Sequence, residues 1–377
     1  MKLLYITYHY IEGFGGGVIG TKAYINAFAE LSDEITLLYP VKDTPVVEGL
    51  NPKVKATPLR NDRSRLKKGW DLLTGRSNPF RLFTDYADNR RFDTVVFDTC
   101  MVSHGLIGRF KRQGIRIITV HHNYQYEFFR DNAQALLRIP TLFWVRRFER
   151  EAVRMSDLNI TVTEDDLRSL KNNYGTGKER FAAVGSFEEI RRSHPVCPTV
   201  DMPRFLITGG LNDSQTEKSL LYWIERYFPI LKEDFPAASL TIAGRSPSDR
   251  LLNAAARHDI RIIPSPKSME PFLAEAKYYI CPTFLGSGRK MRVLDGLSHG
   301  LPVICHSVSA RGYESFLNAG AVLEYSDPET FRVALQKLKK LDYDREDIIG
   351  LYESEFAFDR GKERLADALR ENIEDYA

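Results

Sequence analysis

The sequence holds 377 residues, 43% of them hydrophobic and 27% charged, with a formal net charge of +3. That length accommodates two domains of ordinary size with real cores. No stretch approaches the roughly 18 consecutive apolar residues of a membrane span, and four widely spaced cysteines (Cys100, Cys197, Cys281, Cys305) without a C-x-x-C pair exclude a zinc ribbon and a disulfide scaffold.

The charge is uneven. Residues 1–185 carry 28 Lys and Arg against 21 Asp and Glu, and the remainder 25 against 29. The basic half is therefore expected to face something acidic. The opening MKLLYITYHY is too short for a signal-peptide core and cleavage site, so a cytoplasmic protein is expected, with residues 2–9 as a first buried strand.

Glycines follow, and a helix is predicted over 21–31. Gly15-x-Gly17-x-x-Gly20 matches the dinucleotide fingerprint in form only. The first strand ends several residues too early, and the second, at 35–39, ends in Pro40 rather than in an acid that could hold a ribose. A loop that needs positive φ angles would use the same glycines. Farther on, Arg60, Arg63, Arg65, Lys67 and Lys68 precede Trp70, Leu72, Leu73, Phe80, Leu82 and Phe83. Such a basic and aromatic run could lie on an anionic membrane surface. It could equally bind nucleic acid, but the commonest form of such a run is a solvated basic helix with its apolar side in the core. No nucleic-acid motif accompanies it.

Residues 95–97 read as a buried strand, followed by a helix through Arg112, and 116–120 as the next strand, leading into His121-His122-Asn123. Strand, helix, strand is the rhythm of a parallel sheet, whose ligands gather where strands end. Two histidines there suggest a site. A metal is not expected, because adjacent histidines rarely converge on one ion and no carboxylate cluster joins them in the sequence. An amphipathic helix over 140–156 has Leu142, Val145, Phe148, Ala152 and Met155 on one face, with Arg146, Arg147, Arg150 and Arg154 on the other. A strand at 159–163 and a helix opened by Glu164-Asp165-Asp166 follow. Acids there are ordinary dipole partners. The proline-rich 186–203 reads as a linker. A second α/β series has strands at 204–208, 240–243, 261–263, 278–281 and 303–305, and a polar helix closes the chain.

Residues 284–314 organise this second half. Gly286-Ser287-Gly288 permits a close backbone approach, Lys290 and Arg292 add two cations, and a helix begins there with Asp295 in its first turn. Leu294, Leu297 and Leu301 give its buried side, and Gly300-Leu301-Pro302 ends it. Backbone donors, two cations and a carboxylate suit a ligand carrying phosphates and a polyol. An ordinary helix start on a surface would carry the same residue types.

The run GSGRKMRVLDGLSHGLPVIC resembles the signature of family-four glycosyltransferases of the GT-B fold. One branch of that family reads G-S-G-x-R-x-K-V-L-E-A-x-A-x-G-x-P-V-V. Lys290 stands at the branch's Arg, Arg292 at its Lys and Asp295 at its Glu, which in the family binds the nucleotide ribose. Asp295 is one methylene shorter, and the family's earlier, partnered Glu is absent, with Leu285 near its place. TVHHNYQYEFFRDN resembles the family's H-N-x-x-Y-E-Y segment, whose His contacts the transferred sugar; that residue is His122. Gly16 and Gly17 match a glycine pair near the donor diphosphate and sugar. The family's cationic pair near 209–218 is incomplete: Gly210 and Leu211 replace its Arg, and Lys218 matches loosely. Arg245, at a strand end, is expected to supply the charge.

The resemblance implies an α/β fold of two Rossmann-like domains facing across a cleft. Residues 1–188 would form the acceptor side, with a C-terminal helix (356–377) crossing back onto it, and residues 203–355 would bind the nucleotide sugar. It implies a hexosyltransferase-type enzyme that passes a sugar, with retention, from a nucleotide sugar to a carbohydrate or lipid-linked acceptor hydroxyl. The setting would be surface-polysaccharide or glycolipid assembly, on the inner face of the membrane if the basic half docks there. His122 is the expected catalytic residue. Gly16, Gly17, Arg245, Gly288, Lys290, Arg292 and Asp295 are the expected donor ligands. No metal, other cofactor or nucleic acid is expected, and Asp342-Tyr343-Asp344, a D-x-D string between two helices, reads as a loop. The alternative is a noncatalytic GT-B-like subunit that binds a sugar or a partner enzyme.

Overall fold

Short apolar runs rich in Val, Ile and Leu become fully buried parallel strands, because helices cover both faces of each sheet. The computed structural model describes residues 1–11, 16–41, 48–60, 70–71, 74–75, 80, 92–133, 137–188, 202–286 and 289–370. The chain divides into two units, Met1–Glu189 with Phe358–Ala377, and Ile190–Ala357.

In the first unit β1 (Lys2–Thr7) leads through α1 (Gly16–Leu31) to β2 (Glu34–Val41) and β3 (Val54–Arg60). β4 (Thr94–Asp98) and β5 (Arg116–His121) follow, then α2 (Gln125–Asn132), α3 (Arg138–Met155), β6 (Leu158–Thr161), α4 (Glu164–Tyr174) and β7 (Phe181–Ala183). The seven strands lie in the order β3-β2-β1-β4-β5-β6-β7. The chain order reverses between β1 and β4, which pair in parallel with Thr7 opposite Asp98. That is the switch point of a doubly wound sheet, where a crevice opens at the strands' carboxyl ends.

The second unit contains β8 (Arg204–Gly210), α5 (Ser214–Arg226), β9 (Ser239–Arg245), β10 (Arg261–Pro264), β11 (Tyr278–Cys281), α6 (Arg292–Leu297), β12 (Val303–His306) and β13 (Val322–Tyr325). Its order, β10-β9-β8-β11-β12-β13, reverses between β8 and β11. Cys281 and Cys305 are buried free thiols in adjacent strands, as their apolar surroundings predict. Leu294, Leu297 and Leu301 are buried against the same sheet. α6 stops at Leu297, and Gly300 takes the left-handed conformation (φ 67°) that ends the turn.

The last described helix, α7 (Phe358–Arg370), returns to the first unit. Its Leu365, Ala368 and Leu369 join Leu3, Tyr5 and Phe28 in one core. A side chain at Gly361 would place its Cβ 1.9 Å from the Phe187 ring, so the helix docks closely there.

Three expectations need correction. α1 begins at Gly16, not Thr21, so Gly16 and Gly17 form its first turn rather than the turn before it. First-turn N–H groups need no intrahelical partner, and a Cβ on Gly17 would come within 3.3 Å of the His9 ring. The first strand ends at Thr7 rather than at residue 9. The helix expected after 95–97 is two short helices, Cys100–Ser103 and Ile107–Arg112, broken at Gly105 (φ 77°). Gly288, Cys197, most of the Arg60–Lys68 run and most of the expected linker lie outside the described residues.

Candidate functional site

The first unit gathers polar groups at its switch point. The Asp98 side chain is fully buried at the end of β4. It accepts from the Thr7 hydroxyl of β1 at 2.5 Å and from the Thr21 hydroxyl of α1 at 3.1 Å, both on Oδ2. Its Oδ1 accepts from His122 Nε2. A carboxylate only accepts, so Nε2 carries a proton. His9 and Tyr24 stand edge-on to the His122 ring, each with centroids 5.9 Å away. Burial alone would push the Asp98 carboxyl up. His122, then His9 and Thr7, outweigh it and hold the group down at about 2. Burial pushes the His9 imidazole below its ordinary value.

The loop that carries His122 is tied at both ends of its exit. The Tyr124 N–H donates to Asp166 at 2.9 Å, and the Gln125 N–H donates to Glu149 at 2.6 Å. Glu149, buried on α3, also accepts from Tyr126 N–H (3.3 Å) and the Tyr174 hydroxyl (2.8 Å). Burial nevertheless pushes its carboxyl up to about 8. These anchors fix where β5 delivers its terminal residue.

The two adjacent histidines separate completely. His121 points into the core and donates from Nε2 to Asn159 Oδ1 at 3.0 Å, since the Asn159 amide itself donates to Val153 O. Its Nδ1 is buried without a partner. Burial lowers its value from 6.5 to about 4. The folded state thus disfavours the charged ring, and the unfolded chain binds more protons between those values. Stability from this source is full above about pH 6.5 and declines as the pH falls towards 4. The loss should reach roughly 3 kcal/mol, and urea midpoints of His121→Gln should fall less steeply over that window than those of the native chain.

A carboxylate joins His122 in the fold, brought to it by the pairing of β4 with β5. His9, Asp98 and His122 place ligand-type atoms within 4.8 Å of one another, the one such trio among the described residues. Asp98 already accepts three hydrogen bonds there, which is the chemistry of a carboxylate orienting an imidazole.

In the second unit Arg292 meets Gly209 at the carboxyl end of β8. Arg292 opens α6, and its Nη2 donates to the Thr216 hydroxyl of α5 at 2.9 Å. Its Nη1 is buried without a partner. The guanidinium lies over Gly209 (φ 146°), where a Cβ would sit 3.0 Å from Cζ. Gln215, which the sequence reading passed over, projects beside Gly286 (φ 83°) and also leaves a buried donor, Nε2, unpaired. Buried donors without acceptors are costly, and an acceptor brought by a ligand would relieve each. Asp295 Oδ2 accepts from the Thr208 hydroxyl at 2.8 Å, and Thr208 shares a 2.6 Å hydrogen bond with the Tyr279 hydroxyl. Arg245 is exposed at the end of β9, paired in register with Gly210. The Lys290 carbonyl accepts from the Tyr313 hydroxyl at 2.9 Å. Arg289 belongs elsewhere, its guanidinium 5.4 Å from the Tyr313 ring centre and 5.0 Å from that of Phe356. The Asp342–Asp344 string is a loop, with Asp344 capping the next helix through the Glu346 N–H.

Residues 202–340 match the family described as glycosyl transferases group 1. No protein of curated function matches the chain. Among solved structures, a glycosyltransferase from Rickettsia africae is similar, with a TM-score of 0.69 at 11% identity over 99% of this chain and 98% of its own. Anabaena HepE, in complex with UDP and glucose, gives 0.67 at 10% identity over 98% and 99%. Sucrose-phosphate synthase from Thermosynechococcus elongatus gives 0.66 at 15% over 99% and 97%. At these identities the likeness establishes the fold, two α/β units built as in GT-B glycosyltransferases.

Proposed function

We propose that this chain, whose residues 202–340 match the group 1 glycosyl transferases and whose whole length has the GT-B fold, moves a hexosyl group from a nucleotide sugar to an acceptor hydroxyl. The observation that carries this reading is the pair of buried, unpaired donors, Arg292 Nη1 and Gln215 Nε2, at the strand-end crevice of the second unit. The UDP and glucose held by the similar HepE structure support the choice of ligand.

In this reading Arg292, Lys290, Arg245 and Gln215 meet the donor diphosphate, with Gly286 beside it and Gly288 assigned there by the family resemblance alone. Asp295 accepts from the ribose hydroxyls. The anomeric C–O bond breaks and the diphosphate leaves with the electron pair; the acceptor oxygen bonds to the anomeric carbon as its hydroxyl proton passes to an oxygen of the leaving diphosphate. Fixed positive groups aimed at the leaving diphosphate stabilise the charge as it develops. His122, oriented by Asp98, holds the sugar; Gly17 leaves room for the His9 ring, and the family resemblance assigns Gly16 and Gly17 to the donor. The family resemblance carries retention of configuration, an acceptor that is a carbohydrate or lipid-linked hydroxyl, and the setting of polysaccharide or glycolipid assembly at the inner membrane face.

A thermal-shift panel of UDP-, GDP-, ADP- and CMP-sugars tests the reading. A true donor at 100 times its dissociation constant adds about 2.7 kcal/mol of stability. A chain stabilised by a nucleotide sugar yet unable to hydrolyse or transfer it in the presence of varied acceptors would be a noncatalytic subunit. Gly210, which leaves no cation of its own at that strand end, is the observation behind that second reading. A shift from none of the four sinks the donor site altogether.

Gly209→Ala probes the crevice directly. Its Cβ would press on the Arg292 guanidinium from a backbone that L-residues rarely adopt. Calorimetry should show nucleoside diphosphate affinity reduced by about tenfold or more, with strain of roughly 1–3 kcal/mol in the unfolding free energy.

A further inference from the structure

α3 is amphipathic, but its outer face is not an ordinary solvated one. Thr141, Val145, Phe148, Glu149, Ala152 and Val153 turn into the first unit. On the outside, Ile139 is 83% exposed and Phe143 61%. Arg146, Arg147, Arg150 and Arg154 are exposed beyond them. At 3.6 residues per turn, these six side chains fall within an arc of about 100°, along about 22 Å of helix. Every charge in that arc is positive. Arg154 donates to the Tyr174 carbonyl at 3.1 Å. Arg146 and Arg147 lie over the rings of Tyr126 and Trp144. Neither they nor Arg150 has a carboxylate partner among the described residues.

Another large apolar side chain is exposed in the same unit. A Cβ at Gly75 would lie 2.6 Å from the Trp144 ring, and Trp70, one turn earlier and hydrogen-bonded through its carbonyl to Thr74 N–H, is 64% exposed. Large apolar groups held in water beside arginines that have no carboxylate partner among the described residues point to a surface meant to be covered.

We propose that this face of α3 docks on an anionic lipid bilayer. Ile139 and Phe143 would enter the headgroup and acyl boundary, while Arg146, Arg147 and Arg150 meet lipid phosphates. The separation of character along the helix, apolar at its start and basic behind, is what a bilayer interface offers over a depth of several ångströms. The excess of basic residues over positions 1–185 adds attraction of the same sign. The docking face is thus placed on described residues, rather than on the Arg60–Lys68 run to which the sequence pointed.

Vesicle flotation at low salt tests it, with phosphatidylcholine alone against an equimolar mixture with phosphatidylglycerol. The native chain should float with the mixed vesicles only, and added salt should release it. Replacing the three arginines together (Arg146→Gln, Arg147→Gln, Arg150→Gln) should lower the partition coefficient by roughly 100-fold, as each charge near an anionic surface contributes about 1 kcal/mol. Phe143→Ser should weaken the same binding by about 10-fold or more. All these positions are exposed, so the thermal transition should not move. Donor binding by the triple variant should also be unchanged, which separates this surface from the sugar-transfer reading. Three results would overturn the proposal: no flotation of the native chain, which leaves the face to an acidic protein; equal or salt-insensitive flotation with neutral lipid; or native-like flotation of both variants, which puts docking elsewhere.

Discussion

Asp98→Asn is expected to reduce turnover by about 100-fold while leaving nucleoside diphosphate affinity nearly unchanged. Asp98 receives three donors, the Thr7 and Thr21 hydroxyls and His122 Nε2. An amide offers one acceptor and one donor in the same space. Whichever way it turns, an N–H faces either the hydroxyls or the imidazole N–H, and the His122 ring must rotate or change tautomer. Asp98 touches no solvent, so its effect on the reaction runs through His122. A thermodynamic cycle decides this. If Asp98 is a positioning residue, Asp98→Asn placed on His122→Ala should cost little further activity. A full additional loss in the double variant would show that Asp98 acts independently. Steady-state kinetics should place the loss in kcat, since the side chains proposed to hold the nucleotide, Lys290, Arg292 and Asp295, lie in the other unit.

Arg292→Ala and Asp295→Asn should each weaken nucleoside diphosphate binding by roughly 10- to 150-fold, the range for losing a hydrogen bond to a charged group. Their signatures differ. Arg292→Ala should spare the unphosphorylated nucleoside, whereas Asp295→Asn should weaken both ligands. The Thr208 hydroxyl, itself hydrogen-bonded to Tyr279, holds Asp295 Oδ2 in one orientation, which suits a carboxylate that must meet two ribose hydroxyls. Asp295→Glu restores the residue of the resembled signature and should retain much of the affinity that Asn loses. Calorimetric titration of the folded variants measures all three. Unchanged binding in Asp295→Asn would confine that carboxylate to anchoring Thr208.

The buried strands were legible because period and composition agree. Val95-Val96-Phe97 and Ile117-Ile118 can be little else in a sheet covered on both sides. Three strands escaped notice for different reasons. β3 is an edge strand with mostly exposed residues and a proline, Pro58, so it shows no apolar run. β7 has three residues, all half-buried, and β13 has four with an exposed Glu324 among them. His122 was legible from its place after a strand. Its partner was not, because Asp98 lies 24 residues earlier and meets it only when β4 and β5 pair. An acid closing an otherwise apolar strand is the sequence mark that could have flagged it. Gln215 carries no such mark: a polar residue after a helix cap becomes informative only when its amide is seen buried against Gly286.

The return of α7 to the first unit bears on how the protein is made. Leu365, Ala368 and Leu369 complete the core around Leu3, Tyr5 and Phe28, yet they are translated after every residue of the second unit. Domains usually fold as they leave the ribosome, the N-terminal one first. Here the segment made last is needed by the part made first, so the second unit can close while the earlier one still lacks a wall. During that interval the apolar side of α1 is open to wrong partners. A nascent chain stalled before residue 358 should show protease resistance in the later-made unit and susceptibility in the earlier one.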